Sequence, residues 1–92
     1  MSFDELYIIN DIKTNSGVLQ DVHKQMLGKE CKLSDLKCGY PAIISVVLPE
    51  EREKGFITSR VESVSSDSYK SSIAIRTKNT LYMLNRVVYE GV

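Results

Sequence analysis

The sequence has no tryptophan, one histidine and two cysteines, so it is poor in the side chains that most often build catalytic and metal sites. Its five glycines form neither a GxGxxG nor a P-loop spacing, which excludes the common phosphate-binding loops. Twelve Lys and Arg residues balance twelve Asp and Glu residues. A chain with zero net charge has no long-range field that draws it onto duplex nucleic acid. We therefore predict a binding protein with neither enzymatic activity nor a cofactor.

The cysteines do not form a recognisable motif. Cys31 and Cys38 are separated by six residues, a spacing that is neither that of a zinc knuckle nor that of a redox CxxC motif, and His23 has no second histidine or cysteine near it in sequence. We predict no metal site and two reduced thiols. Residues 1–13 are acidic where a signal peptide is basic, and their apolar run is too short for a membrane span. The expectation is a cytoplasmic protein without membrane contact.

The size of the chain sets its organisation. The 92 residues are enough for one domain, and the 42% apolar and 26% charged content is typical of a folded one. A domain of this size buries only about 60 to 65% of its unfolded surface, so self-association is a common way to gain stability. We expect a homo-oligomer of single domains spanning residues 1–92. In each, residues 1–28 form an N-terminal strand and helix element and residues 33–89 a β-barrel.

The N-terminal element contains one ambiguous segment and one helix. Residues 2–5 have the form of a capping box that opens a helix, whereas residues 6–9 are a β-rich apolar run, so both structures stay open for residues 3–13. A helix is predicted further on, with Asn15 or Ser16 as N-cap and Gly28 as C-cap. Its apolar stripe is formed by Val18, Leu19, Val22 and Met26. Its polar face, expected in solvent, is formed by Gln20, His23, Lys24 and Gln25.

Four later segments are rich in β-branched and aromatic residues and end at turn signals, as strands do. They cover residues 42–48, 56–64, 72–77 and 80–88. Ile57 and Val61 are expected to face one way. The step from Val61 to Val64 breaks the period of two, which predicts a bulge or a sharp bend near residues 62–63.

The remaining segments are predicted to be connectors. Residues 29–41 end in residue types typical of a turn, and residues 49–55 are a charged loop. Residues 63–72 are rich in serine and resemble a flexible hairpin loop. Lys78 and Asn79 form the two-residue tip of a tight hairpin. The chain is therefore expected to be α+β and mostly β: a four-strand antiparallel meander curled into a small barrel and preceded by one amphipathic helix.

The order of these segments resembles that of known small barrels. Residues 33–88 have the layout of an SH3-like β-barrel, and residues 33–39, Leu-Ser-Asp-Leu-Lys-Cys-Gly, are similar to the turn that opens barrels of the bacterial FeoA type. Tyr40, Pro41 and the acidic loop at residues 50–53 depart from that family's pattern. We therefore carry over neither a function nor residue roles, because small barrels host many unrelated activities.

Two functions are compatible with these features. The first is an oligomeric protein-interaction or regulatory protein, such as a phage-encoded inhibitor, that uses apolar strand ends at residues 7–9 and 87–89. In such an oligomer, Arg76, Lys78 and Arg86 meet across a symmetry axis with Tyr82 and hold a small anionic ligand.

The second function is the binding of single-stranded nucleic acid. Residues 70–92 contain four basic residues and one acidic residue, and Arg76, Lys78 and Arg86 are interleaved with aromatic side chains. Basic side chains follow a phosphate backbone while aromatic faces stack on bases. The aromatic residues in this hypothesis are Tyr69, Tyr82 and Tyr89.

Overall fold

The computed structural model describes residues 6–67 and 71–87. Within them it contains six strands, one α-helix and a short 3-10 helix at Pro49–Glu51. In chain order the elements are β1 (Tyr7–Thr14), α1 (Asp21–Met26), β2 (Glu30–Leu33), β3 (Pro41–Val47), β4 (Glu53–Ser66), β5 (Ser72–Thr77) and β6 (Thr80–Arg86).

The six strands form a closed antiparallel barrel in which each strand pairs with the next. The barrel closes because β6 pairs with β1 as well as with β5. Alternate residues point inward, as in the run Ala42, Ile44 and Val46 of β3, where each side chain is almost completely buried. The core consists of Tyr7, Ile9, Ile12, Met26, Cys31, Ala42, Ile44, Val46, Val61, Ile73, Ile75, Tyr82 and Leu84.

The barrel has six strands where the sequence predicts four. The four predicted strands are present, and β5 and the two-residue turn at Lys78 and Asn79 lie where they were predicted. The first of the two added strands is β1, which shows that most of residues 3–13 are strand and not helix. The capping box at residues 2–5 lies outside the described residues. The other, β2, lies inside the predicted connector. Its four residues include only one buried side chain, so they show no measurable alternation.

The helix is shorter than predicted and turns a different face to the core. It begins at Asp21, because the preceding chain is held in a turn: the Thr14 hydroxyl donates to the Val18 carbonyl at 2.9 Å, and Gly17 has a φ of 78°. His23 is buried with Met26, whereas Val18 is 68% exposed. The predicted apolar stripe is therefore wrong at Val18, and the predicted polar face is wrong at His23.

The predicted end of the helix is confirmed. Gly28 has a φ of 75° just after the last helical turn, a conformation that favours glycine. Its N–H donates to the Ile9 carbonyl at 2.8 Å, and the Leu27 N–H donates to the His23 carbonyl at 3.1 Å. The end of α1 is thus hydrogen-bonded to β1.

Strand β4 is the longest element, with 14 residues, and contains two bulges. The register with β5 shifts between Val61 and Ser63, which confirms the predicted bulge. The serine-rich segment at residues 63–72 is predicted to be a loop, but β4 continues through it as far as Ser66. A second bulge adds one residue to β4 between Ile57 and Arg60, opposite β3. Because of it, Ile57 is 75% exposed while Val61 is buried, so the prediction that they face one way is wrong.

Truncation of the buried strand residue Ile44 to alanine should destabilise the barrel by about 2–5 kcal/mol, because the side chain is 0% exposed and its removal leaves a cavity. The matched control Ile57→Ala, at a position that is 75% exposed, should change the free energy of unfolding by less than about 0.5 kcal/mol. Urea denaturation followed by circular dichroism measures both. Equal losses for the two variants would contradict the assigned facing of β3 and β4.

The two thiols should differ sharply in reactivity. Burial raises the pKa of Cys31 from its ordinary value of 9.0 to about 12, whereas Cys38 is exposed. A thiol reagent near neutral pH should therefore label Cys38 in the native protein and Cys31 only after unfolding. As pH rises above about 9, the unfolded chain loses the Cys31 proton before the folded one does, so the free energy of unfolding should fall. This component of the fall should vanish in Cys31→Ala. Rapid native labelling of Cys31 would contradict its burial.

Candidate functional site

The cations predicted to bind a ligand lie along one hairpin but do not converge within one protomer. Arg76 is exposed on β5 and Lys78 is exposed in the adjoining turn, whereas Arg86 is half-buried at the far end of β6. Arg76 pairs with Leu81, so Arg86 lies about 17 Å further along the sheet at about 3.4 Å per residue.

The predicted aromatic partners and docking ends are also placed differently. Tyr82 is 6% exposed and belongs to the core. Tyr7 and Ile9 are buried too, so the strand end at residues 7–9 presents only Ile8 to solvent. Tyr69, Tyr89 and residues 88–89 lie outside the described residues.

A cleft of about 740 Å³ opens beside the β5–β6 turn. Its walls come from residues 14–26, which include α1, from residues 55–59 of β4 and from residues 79–82. The lining combines hydroxyl and amide side chains with the apolar side chains of Val18, Val22 and Ile57. Among the described residues that line it there is no lysine, arginine, aspartate or glutamate. The cleft therefore offers apolar contacts and neutral hydrogen bonds.

Two buried rings in the cleft lining pack edge to face. The His23 and Tyr82 rings have centroids 6.1 Å apart and an angle of 71° between their planes. The Gln20 N–H donates to Nδ1 of His23 at 3.3 Å, so the neutral ring has its proton on Nε2. No residue of the described chain accepts a hydrogen bond from Nε2, and no buried polar side-chain atom there lacks a partner. This N–H therefore reaches accessible space in the cleft.

The Tyr82 phenol stays protonated near neutral pH. Burial raises the pKa of Tyr82, and a side-chain hydrogen bond with Thr80 acts in the opposite direction. The phenol of Tyr82 and the ring N–H of His23 can each donate a hydrogen bond. The lining residues that the structure describes include no cysteine or carboxylate. The arrangement of these groups favours binding of a neutral polar group.

One wall of the cleft is the edge of a strand. The Leu48 N–H donates to the Arg52 carbonyl at 2.7 Å, and this bond determines which residue pairs of the β3–β4 ladder are hydrogen-bonded. In an antiparallel ladder, hydrogen-bonded pairs alternate with non-hydrogen-bonded pairs. Lys54 and Phe56 therefore bond to β3, whereas Gly55 and Ile57 direct their N–H and C=O groups away from it.

The hydrogen bonds of β3 on its other side agree with this assignment of bonded and non-bonded pairs. Ile43, the partner of Ile57, accepts a hydrogen bond from the Ser34 N–H at 3.0 Å and donates its own N–H to the Ser34 hydroxyl at 2.9 Å. Its backbone thus faces away from β4. On the other side of β4, pairing with β5 begins only at Val61. No described residue bonds to the backbone of Gly55 or Ile57, and we call residues 55–57 the open edge.

The sequence gives a weak signal for this edge. Glycine in a strand marks a bulge or a close approach of another backbone, but the sequence pattern predicts that Gly55 lies in a charged loop, whereas the structure places it in β4. The exposure of Ile57 depends on the bulge between it and Arg60, which has no sequence signature here. Both features become visible only once the strands are paired.

No family model matches the chain, and neither a curated protein nor a solved structure shows a significant match to it. In the described part of the chain, no group of three or more His, Cys, Asp or Glu residues could hold a metal ion. None of its described helices is long and apolar enough to cross a membrane. The cleft and the open edge are therefore the features of the described chain that bear most directly on its function.

Thr58 should be needed for the shape of the open edge. Its hydroxyl accepts the Ala42 N–H at 3.0 Å and donates to the Ser59 carbonyl at 2.7 Å, which holds the bulge next to Ile57. Thr58→Val should cost about 1–3 kcal/mol, because it leaves the buried Ala42 N–H without a partner. Thr58→Ser keeps the hydroxyl and should cost about 1 kcal/mol or less.

Thermal and urea unfolding of the two Thr58 variants measures this difference. If the valine variant were as stable as the serine variant, the hydroxyl would not hold the bulge.

Proposed function

We propose that this domain is a non-catalytic protein-interaction module that binds an extended segment of a partner along the open edge of β4. The observation that carries the proposal is the pair of backbone positions, Gly55 and Ile57, that lie in the wall of a cleft and bond to no described residue. An added strand satisfies N–H and C=O groups together, and strand addition is a recurrent mode of peptide recognition. The cleft volume of about 740 Å³ lies within the range of about 300–1,000 Å³ that is usual for ligand sites.

Gly55 supports an approach by another backbone. A Cβ atom built on Gly55 would lie 3.7 Å from the Ile43 side chain, which is ordinary contact, and Gly55 is not among the glycines with positive φ. Neither packing nor backbone conformation therefore requires glycine at this position. A residue without a side chain does, however, leave room for a partner strand.

The apolar side chains around the open edge supply contacts for the partner's side chains. Ile57 is 75% exposed, Val18 is 68% exposed, and Ile43, directly across from Ile57, is 45% exposed. Side chains of an added strand alternate between its two faces. The face turned toward the cleft would meet this exposed apolar group, because Val18 and Ile57 also line the cleft.

The same geometry ranks the other functions. Tyr82 packs edge to face on His23 and is buried, so it offers no open platform for stacking a base. Arg76 and Arg86 lie at opposite ends of the β5–β6 hairpin, so a small anion would need a second protomer. Self-association and a cytoplasmic location remain parts of the proposal, and the SH3-like type remains an interpretation of residues 33–88.

Ile57→Pro should abolish partner binding with little loss of stability. Proline removes an N–H that has no partner among the described residues, and edge positions of this kind tolerate proline. The matched control Ile57→Ala keeps the N–H and removes only the exposed side chain. The probe is a displayed library of random peptides selected on the wild-type protein. Selected peptides should bind Ile57→Pro about tenfold or more weakly than Ile57→Ala.

Circular dichroism and the unfolding midpoint establish that both Ile57 variants are folded. Selection that enriches no peptide, or peptides that bind the folded proline variant as well as the alanine variant, would overturn the proposed function.

A further inference from the structure

The charged residues that flank the cleft lining in the described sequence are mostly basic. Six charged residues adjoin a lining residue directly in the described sequence, and Asp21 alone among them is acidic. The other five, which we call the basic collar, are Lys13, Lys24, Lys54, Arg60 and Lys78. The chain as a whole has twelve basic and twelve acidic residues, so this local excess is not a property of its overall composition.

The cations of the basic collar are exposed and have no ion-pair partner among the described residues. In that part of the chain an ion pair joins Lys32 to Glu53, with a nitrogen–oxygen distance of 2.7 Å, and it involves no member of the collar. Lys54 instead donates to the side-chain oxygen of Gln25 at 3.3 Å and lies 5.3 Å from the centre of the Phe56 ring. No collar cation thus lies within ion-pair distance of a carboxylate of the described chain.

Two members of the basic collar bracket the open edge. Lys54 immediately precedes Gly55, and Arg60 follows Ser59, where β4 leaves the cleft. At about 3.3 Å per residue their backbones are about 20 Å apart. A segment paired along β4 therefore passes one cation at each end and an uncharged lining between them.

We propose, building on the proposed function, that the occupant of the cleft is an acidic extended segment of a partner protein: uncharged side chains enter the cleft, and aspartate or glutamate residues flank them. The charges of such a segment would complement those of Lys54 and Arg60 along a single strand. Opposite charge at a rim steers association and selects among partners, and its effect weakens as salt is added. A nucleic acid would also meet the cations, but its backbone has no N–H to pair with the C=O groups of Gly55 and Ile57.

The test compares peptide selections on variants of equal net charge. Lys54→Gln with Arg60→Gln removes the two bracketing cations, and Lys29→Gln with Lys37→Gln removes two exposed cations that adjoin no lining residue. A displayed random-peptide library is selected on the wild type and on both double variants. Peptides enriched by the wild type and by the control should carry Asp or Glu on both sides of an uncharged core. The Lys54 and Arg60 variant should lose this bias.

A binding measurement gives the size of the effect. One wild-type-selected peptide and its form with every Asp and Glu changed to Asn and Gln are titrated by fluorescence polarisation at low and high salt. The acidic form should bind the wild type about tenfold more tightly at low salt, with a smaller ratio at high salt. The ratio should be close to one for the Lys54 and Arg60 variant and unchanged for the control.

The outcomes separate this inference from the proposed function. Selected peptides with no acidic bias, or with a basic one, that still fail to bind Ile57→Pro would overturn the inference and leave strand addition standing. A library that yields no binder would overturn both. An oligothymidylate probe that binds the wild type, loses affinity in the Lys54 and Arg60 variant and binds Ile57→Pro normally would assign the collar to nucleic acid instead.

Discussion

Strand β4 is longer than the strands that pair with it, and this difference in length determines which of its backbone groups β3 and β5 can bond to. A strand can satisfy its backbone groups on both sides only where both neighbours extend beside it. β4 has 14 residues and pairs with β3 along its first part, but β5 has six residues and reaches only the part that begins at Val61. Closure through β1 and β6 completes the barrel without covering the overhang. The open edge is therefore a result of the topology.

The bulge beside the overhang determines what it presents. With one extra residue between Ile57 and Arg60, Thr58 and Val61 face inward while Ile57 faces outward. The cost of the bulge is reduced because the Thr58 hydroxyl accepts the buried Ala42 N–H. The Thr58 side chain thus preserves the core on one face of β4, while Ile57 is exposed beside backbone groups that pair with no residue of the described ranges. Packing and surface are coupled through this position.

The fold could be predicted further than the site. The four later strands, the turn at Lys78 and Asn79, the bulge near Ser63 and the glycine at the end of α1 all follow from local chemistry that acts within a few residues. Strand β2 was missed because four residues with one buried cysteine carry no period. The burial of His23 was missed because a helix of six residues is oriented by its connections, such as the bond from Gly28 to Ile9, more than by its own stripe.

The candidate site depends on pairing between distant strands, which a single sequence does not encode in its local pattern. Charge and aromatic content are visible in the chain itself, and they point to Arg76, Lys78, Arg86 and Tyr82. Of these, Lys78 adjoins the cleft and Tyr82 lines it, as part of the core. Every residue except proline carries a backbone N–H. The composition of the chain therefore does not show which of these groups lacks a partner. The same reasoning explains why a chain of zero net charge presents a basic collar: steering depends on where charges lie relative to the docking backbone, and that arrangement exists only after β4 has paired with β3 and β5.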